Sequence, residues 1–203
     1  EIPKPLLKLR EITMLESCIN TIIKLEAKKI FINTFHLGEQ ISEFIKSKNF
    51  SIDIQIVNDG KNILNTGGGI LSMINHSQDN DFIIFNPDTL WQENYIDEIN
   101  SMIKLYFSKR LDNILLLAKK DLSFDKNLKG DFGLENYLVN LNSRNFIYTG
   151  CQILNKSILK NEKITNFSIT KIWLNSIENN QLNGFECKQK FYHVTNLEIF
   201  KKL

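Results

Sequence analysis

The segment DFIIFNPDT, residues 81–89, joins an unbroken apolar run to a polar turn. The run at 82–85 predicts a β-strand that is buried on both faces, as in a sheet covered by helices. Asp88 then lies just beyond the carboxyl end of this strand, where open α/β sheets bind their ligands. A carboxylate in this place suits Mg²⁺, which prefers oxygen ligands and usually bridges to phosphates. A plain turn or a helix cap explains Asp88 equally well.

Helices and strands alternate on both sides of this segment. Apolar spacing predicts helices over 13–26, 38–48, 70–75 and 96–107, and strands over 29–33, 53–57 and 113–118. This order predicts βαβ units in an α/β fold, with a Rossmann-like, mixed but mostly parallel sheet flanked by helices. After residue 119 we expect antiparallel strands over 132–141 and 145–154, a helix over 168–179, a strand over 191–194 and a C-terminal helix.

The composition narrows the classes of function. The 203-residue chain has a formal net charge of +2, and its charges are interspersed, which excludes the basic stripe of a nucleic-acid-binding protein. Cys18, Cys151 and Cys187 are far apart and form no C-x-x-C pair, which argues against a disulfide framework or a zinc site. No apolar run reaches membrane-spanning length. We therefore expect a cytoplasmic protein without nucleic-acid or membrane partners; the sequence sets no oligomeric state.

Two short motifs in the first part of the chain are candidate binding elements. TGGG at 66–69 is predicted as a strand-to-helix turn, where glycines allow close approach and free N–H groups can bind an anion or a base edge. A tight turn without a ligand is the alternative. Lys4 lies between Pro3 and Pro5, which predicts a stiff, extended segment that aims the lysine at a phosphate. A solvated surface charge is the alternative for Lys4.

Two later motifs leave similar choices open. Gly130, Asp131 and Phe132 could place a carboxylate beside the hydroxyl groups of a ligand, or they could begin a plain hairpin. His193 lies between apolar neighbours, where a hydrogen-bonded core histidine is more frequent than a ligand-binding one.

The order of the motifs along the chain carries more information than any one of them. They read PKPL at 3–6, LNTGGGI at 64–70, NPDTLW at 86–91, GDF at 130–132, YTGCQIL at 148–154 and FYHV at 191–194. This series resembles the bacterial sugar-1-phosphate nucleotidyltransferase family, which includes N-acetylmuramate-1-phosphate uridylyltransferase and mannose-1-phosphate guanylyltransferase-like proteins. The likeness covers nearly the whole chain and is specific to the family, but not to the sugar or the base.

The resemblance implies a single domain over 1–203, with a nucleotide-binding half at about 1–118 and a sugar-binding half at about 119–203. It also implies roles for individual residues. Lys4 and Asp88 are implied as catalytic, with Lys4 on a phosphate and Asp88 on Mg²⁺. The other implied contacts are Gly67 and Gly68 to the nucleotide, and Asn86, Asp131, Thr149, Gly150 and His193 to the substrate.

The chain departs from the family pattern at three places. A G-x-G-x-R-M loop is expected just before Pro3, so we expect a first strand and this loop upstream of Glu1. The family's N-G-D reads Asn86-Pro87-Asp88 here, and proline removes an N–H and restricts its neighbour.

The third departure is at the family's late V-D-V-G-T motif, where His193 replaces a second metal carboxylate and Asn196 follows Thr195. His193 could bind the metal as a neutral imidazole, or face a phosphate as a cation or donor. We favour the second role because Mg²⁺ prefers oxygen to nitrogen.

The implied reaction joins a nucleoside triphosphate, UTP or GTP, to a sugar 1-phosphate and releases pyrophosphate. Positioning and charge neutralisation dominate such a transfer. Two alternatives remain at this stage: an inactive nucleotide- or sugar-binding homologue, and a glycosyltransferase of related fold, which would usually carry a D-x-D pair.

Overall fold

The computed structural model describes residues 1–9 and 11–203. The helices are α1 (Met14–Lys24), α2 (Gly38–Ser47), α3 (Asn65–Ile74), α4 (Tyr95–Lys109), α5 (Thr170–Glu178) and α6 (Leu197–Lys202). The strands are β1 (Lys8–Leu9), β2 (Ile12–Thr13), β3 (Lys29–Thr34), β4 (Asp53–Asn58), β5 (Asp81–Phe85), β6 (Asn113–Lys119), β7 (Gly133–Glu135), β8 (Leu138–Asn140), β9 (Phe146–Asn155) and β10 (Asn183–Cys187). No helix in these ranges is long and apolar enough to cross a membrane.

A six-stranded sheet with the order β5-β9-β6-β10-β8-β7 forms the centre of the molecule. Strand β6 lies in its middle and is apolar over residues 114–118, and alternate side chains of a strand reach opposite faces. Ile114 and Leu116 pack with helix α4, whereas Leu115 and Leu117 pack with α3 and α5. The result is a helix–sheet–helix arrangement with a core on each face of the sheet.

The sheet is mixed, as the sequence predicted, but less parallel than expected. Parallel pairing joins β3 to β4 and β6 to β10, while β9 runs antiparallel between β5 and β6. Strand β9 is ten residues long and nearly all buried, so both of its edges can pair along most of their length. The sequence predicted this strand but not its place in the sheet.

In the last part of the chain one expectation was wrong and one strand was missed. The strand predicted over 191–194 is instead a segment with isolated bridges to Ser123 and Thr89. Strand β10 was not expected, because it begins with Asn183 and Gly184 and has few apolar residues after them.

Strands β3 and β4 form a sheet of their own, separated from β5 by a slot of about 800 Å³. The residues lining the slot run along β3 and β5 and are largely apolar, and they include Ile30, Ile32, Ile83 and Phe85. In the described part of the chain, neither facing edge is paired with another strand. The described residues thus leave room for one strand between β3 and β5.

The N-terminal residues show how the two edges are oriented. Glu1 contacts His36 just after β3, with 3.3 Å between the carboxylate and Nε2, and Lys4 contacts Asp88 just after β5. Residues 1–4 thus cross the slot at the carboxyl ends of both strands. Strands β3 and β5 consequently run parallel, and the slot matches one further parallel strand.

We predict that adding a five-residue Val- and Ile-rich strand, through a short Gly linker, before Glu1 stabilises the protein by roughly 2 kcal/mol. This is the small surplus of apolar burial over the entropy of ordering the added residues. Urea denaturation measures the gain, and hydrogen exchange should show new protection in β3 and β5. A Gly/Ser extension of equal length is the control; equal stability of the two extended proteins would contradict a strand-binding slot.

Candidate active site

Asp88 is placed by strand β5, which ends three residues earlier, and it meets Lys4 from the start of the chain. The Lys4 Nζ donates to the Asp88 Oδ2 at 2.7 Å. The other carboxylate oxygen, Oδ1, is buried and has no hydrogen-bond partner among residues 1–9 and 11–203. A buried carboxylate oxygen without a donor is costly unless a ligand satisfies it. Asp88 can therefore accept a cation or a donor from a bound molecule.

Lys4 lies in a short 3₁₀ turn, Lys4–Leu6, and not in the extended segment that the two prolines predicted. The turn is closed by a hydrogen bond from the Leu6 N–H to the Pro3 carbonyl at 2.9 Å. Proline is compatible with a first helical turn because its missing N–H would be unpaired there anyway. The lysine is still held on stiff backbone, and its side chain points to Asp88.

His193 reaches the same place through the backbone. The Val194 N–H donates to the Asp88 carbonyl, and the Leu90 N–H donates to the Tyr192 carbonyl, both at 2.9 Å. The His193 Nδ1 then lies 3.6 Å from Asp88 Oδ1. The structure thus brings together Lys4, Asp88 and His193, which are far apart in sequence.

The charge state of His193 bears on its expected role. Burial lowers the pKa of the His193 imidazole; Asp88 raises the pKa and Lys4 lowers it, and burial has the largest effect. The ring is therefore neutral near pH 7 in the free protein. This disfavours the expectation that His193 faces a phosphate as a cation.

Asp131 lies close enough to His193 for their charges to interact. The Asp131 Oδ2 accepts from the Tyr148 N–H at 2.9 Å. The side chain reaches solvent, yet the surrounding protein raises the pKa of its carboxyl group, and the Tyr148 hydrogen bond and Arg144 partly offset this. Gly130 is required beside it, since a Cβ there would lie 1.8 Å from the Arg144 carbonyl oxygen.

Asn86, Thr149 and Gly150 hold the turn that carries Asp88. The Asn86 N–H donates to the Gly150 carbonyl at 2.7 Å, and the Trp91 indole donates to the Asn86 carbonyl at 2.9 Å. Gly150 has a φ of +92°, and a Cβ there would lie 2.8 Å from the Asn86 Cβ. The buried Thr149 hydroxyl donates to the Leu116 carbonyl. The Thr149 hydroxyl is therefore engaged inside the sheet, although the sequence predicted a substrate contact.

The glycine motif differs most from expectation. Helix α3 begins at Asn65, so the glycines lie inside the helix and not in a turn before it. The Gly67 and Gly68 N–H groups both donate to the Phe167 carbonyl, at 2.9 and 3.2 Å. A Cβ on Gly67 would lie 2.3 Å from the Phe167 ring. These two amides are consequently not free to bind an anion, because the Phe167 carbonyl already accepts their hydrogen bonds.

Gly69 faces a different pair of residues. A Cβ there would lie 2.8 Å from the Asn33 Nδ2, which donates to the Asp59 carboxylate at 3.0 Å. Both Asn33 and Asp59 lie at the carboxyl ends of their strands, on the same edge of the fold as Asp88. Contacts of Gly67 and Gly68 with a nucleotide stay a prediction.

Sequence reasoning missed Asp125. Its buried carboxylate accepts from the Thr195 hydroxyl at 2.9 Å and from the Asn127 N–H at 3.0 Å, and its charge acts on His193. Asn196 caps helix α6 by accepting from the Ile199 N–H at 3.0 Å. These contacts explain the altered motif, since Thr195 binds Asp125 and Asn196 begins a helix. An Asn before a charged, apolar stretch is a usual helix-cap signal.

The donor set at Asp88 fits a hard cation only in part. In the described ranges no group of three or more His, Cys, Asp or Glu side chains could hold a metal ion. Mg²⁺ usually takes one or two carboxylates and completes its shell with waters and substrate phosphates. The Oδ1 of Asp88, which has no hydrogen-bond partner among the described residues, supplies one such oxygen, so the site suits Mg²⁺ together with a phosphate ligand.

Comparison with solved structures identifies the fold. The chain is similar to HddC from Yersinia pseudotuberculosis complexed with GMP-PN, with 19% identity, a TM-score of 0.80, and coverage of 100% of this chain and 88% of that one. It is also similar to UDP-glucose pyrophosphorylase complexed with UDP-glucose (15%, 0.78, 99% and 88%) and to the inositol-1-phosphate CTP transferase from T. maritima (11%, 0.77, 98% and 85%). No protein-family model and no curated protein matches the sequence. At these identities the likeness establishes the nucleotidyltransferase fold.

We predict that Gly150→Ala destabilises the protein by roughly 2 kcal/mol more than Gly60→Ala. Both glycines have positive φ values, +92° and +82°, so both variants carry backbone strain. A Cβ at position 60 meets nothing within 4 Å, whereas one at 150 meets Asn86. The difference thus isolates the overpacking, which costs about 1–3 kcal/mol. Urea denaturation checks it, and equal losses would show that Gly150 does not hold the turn.

We also predict that the free energy of unfolding falls as the pH drops below about 6.5, the ordinary pKa of histidine. Because the pKa of His193 is lowered in the folded state, the unfolded chain binds more protons in this window. The stabilisation is fully present above the unfolded pKa and is lost as the pH falls through the folded pKa. His193→Gln should flatten this part of the profile, and an unchanged profile would refute a buried, neutral His193.

Proposed function

We propose that this chain is a sugar-1-phosphate nucleotidyltransferase. It transfers a nucleoside monophosphate from UTP or GTP to a sugar 1-phosphate and releases pyrophosphate. The observation that carries the proposal is the Lys4–Asp88 pair, 2.7 Å apart at the carboxyl ends of the strands, with one carboxylate oxygen left without a partner. The fold supports the proposal, since solved structures similar to this one hold GMP-PN and UDP-glucose.

The reaction is a substitution at the α-phosphorus of the nucleotide. An oxygen of the sugar phosphate forms the new P–O bond, and the bond to the β-phosphate breaks, so that pyrophosphate leaves with the electron pair. The chain's residues need to position two anions and to balance their charge. Lys4 supplies a positive charge on stiff backbone, and it can donate to a phosphate oxygen as it now donates to Asp88.

Asp88 is proposed to hold Mg²⁺ through Oδ1. When bound, Mg²⁺ neutralises phosphate charge and aligns the reacting groups. The carboxylate of Asp88 stays at a fixed place, because the Asn86 and Leu90 N–H groups hold the backbone on both sides of this residue.

The sugar is proposed to lie toward Asp131 and His193. The Asp131 carboxylate has its Oδ2 on the Tyr148 amide and can accept a hydroxyl with its other oxygen. Asn86, whose N–H and carbonyl are used within the turn, can contact substrate through its side-chain amide.

We place the enzyme in the cytoplasm. Cys18, Cys151 and Cys187 are free and buried, which suits a reducing compartment. An inactive binding protein and a glycosyltransferase are the rival functions; both predict no pyrophosphate release from a nucleoside triphosphate and a sugar 1-phosphate.

We predict that Asp88→Asn lowers turnover by at least about 100-fold, because the variant keeps the shape but loses the charge that faces the cation and phosphates. Pyrophosphate release is measured with UTP and with GTP against a panel of sugar 1-phosphates, with and without Mg²⁺. Stability should change little, since the ion pair is partly exposed, with side-chain exposures of 42% for Lys4 and 25% for Asp88.

Asp53→Asn is the matched control. Asp53 begins strand β4 at the opposite edge of the fold and forms an exposed ion pair with Lys29 at 3.1 Å. Its replacement should leave turnover within about twofold, since such surface pairs contribute little. Near-normal turnover in Asp88→Asn would remove Asp88 from the mechanism, and absence of release from the unaltered protein would favour the rival functions.

A further inference from the structure

Thr89 is the neighbour of Asp88 and the residue directly opposite His193. It is 1% exposed and forms an antiparallel bridge with His193. The His193 ring stacks on Phe191, with 5.9 Å between the ring centroids and an angle of 11° between the planes. The imidazole is thus fixed on one side by an aromatic ring and at its Nδ1 edge by Thr89.

The hydrogen bonds of Thr89 decide what its oxygen can do for His193. The Thr89 Oγ1 donates to the Thr149 carbonyl at 2.6 Å, a short bond that uses the only hydroxyl proton. The same Oγ1 lies 3.4 Å from the His193 Nδ1. Toward His193 it can therefore act only as an acceptor.

The second neighbour of Nδ1 is also a hydrogen-bond acceptor. It is the Asp88 Oδ1, which lies 3.6 Å from Nδ1. Among residues 1–9 and 11–203 both neighbours of Nδ1 are acceptors, and the Thr89 Oγ1 is the one within hydrogen-bond distance, so Nδ1 carries the proton. In a neutral imidazole the other nitrogen, Nε2, then carries a lone pair.

The Nε2 atom faces away from these partners. It forms no side-chain hydrogen bond with residues 1–9 or 11–203, and the His193 side chain is 24% exposed to solvent. Nearby, the Asp131 carboxylate is a further acceptor. A group of acceptors suits ligand hydroxyl groups, which donate. The donor in this cluster is Lys4, which contacts the other carboxylate oxygen of Asp88, so a phosphate oxygen suits Lys4 and not the Nε2 of His193.

We propose that Thr89 is a positioning residue that fixes His193 as the Nδ1–H tautomer, so that Nε2 accepts a hydrogen bond from a hydroxyl group of the bound sugar. The identity of the ligand rests on the proposed function, whereas the tautomer does not. The proposal replaces the expectation that His193 donates to a phosphate. It also gives His193 a role in selecting sugars that carry a hydroxyl at the matching position.

The tautomer is tested on the free protein by long-range ¹H–¹⁵N NMR of the imidazole rings. The chain has three histidines, and His193→Gln identifies the signal of His193. We expect the Nδ1–H pattern in the unaltered protein and in Thr89→Ser, which keeps the hydroxyl. Thr89→Val, which removes the acceptor but keeps the shape, should raise the Nε2–H population. An Nε2–H pattern in the unaltered protein, or no change in Thr89→Val, overturns the proposal.

The ligand contact is tested by following the Nε2 signal during addition of glucose 1-phosphate, mannose 1-phosphate or inorganic phosphate. We expect a larger shift with at least one sugar phosphate than with inorganic phosphate. A response to inorganic phosphate that equals or exceeds the response to both sugar phosphates overturns the hydroxyl contact. If the tautomer and the sugar response hold but no pyrophosphate is released in the turnover assay, the proposed function fails and the inference stands.

Discussion

Two backbone hydrogen bonds, Leu90 N–H to the Tyr192 carbonyl and Val194 N–H to the Asp88 carbonyl, join the turn after β5 to the segment before α6. Everything at the candidate site depends on this pairing. It places His193 against Asp88, although the two are more than a hundred residues apart in sequence. It also holds the turn that carries the Asp88 carboxylate. A turn that is already held in place loses little conformational entropy when it binds a ligand.

The charges at this place contribute little to folding. The Lys4–Asp88 pair is partly exposed, and such pairs add little to stability. One carboxylate oxygen is nevertheless buried without a donor, which is unfavourable in the free protein. Lys4 balances the negative charge from a 3₁₀ turn whose conformation is set by two prolines. The arrangement is that of a site whose last partners are supplied by a ligand.

Much of the fold was predictable because it follows from local patterns. The apolar run before Asp88 gave β5, and the helical spacing gave α1, α2 and α4 close to their observed bounds. The insertion of β9 between β5 and β6 could not be predicted, because strand order depends on contacts between residues that are distant in sequence. At the site, motif order identified Asp88, Lys4 and His193. It missed Asp125 and Thr89, whose roles come from tertiary hydrogen bonds.

We propose that nucleoside triphosphates bind at the Lys4–Asp88 pair, beside the segment that carries His193. Mapping backbone amide shifts by NMR during addition of UTP or GTP with Mg²⁺ tests this directly and needs no turnover. We predict that the largest changes with at least one nucleotide lie at residues 3–6, 86–90 and 192–195. Changes confined to other surfaces, such as the lysine-rich segment 156–163, or no change with either nucleotide, would contradict it.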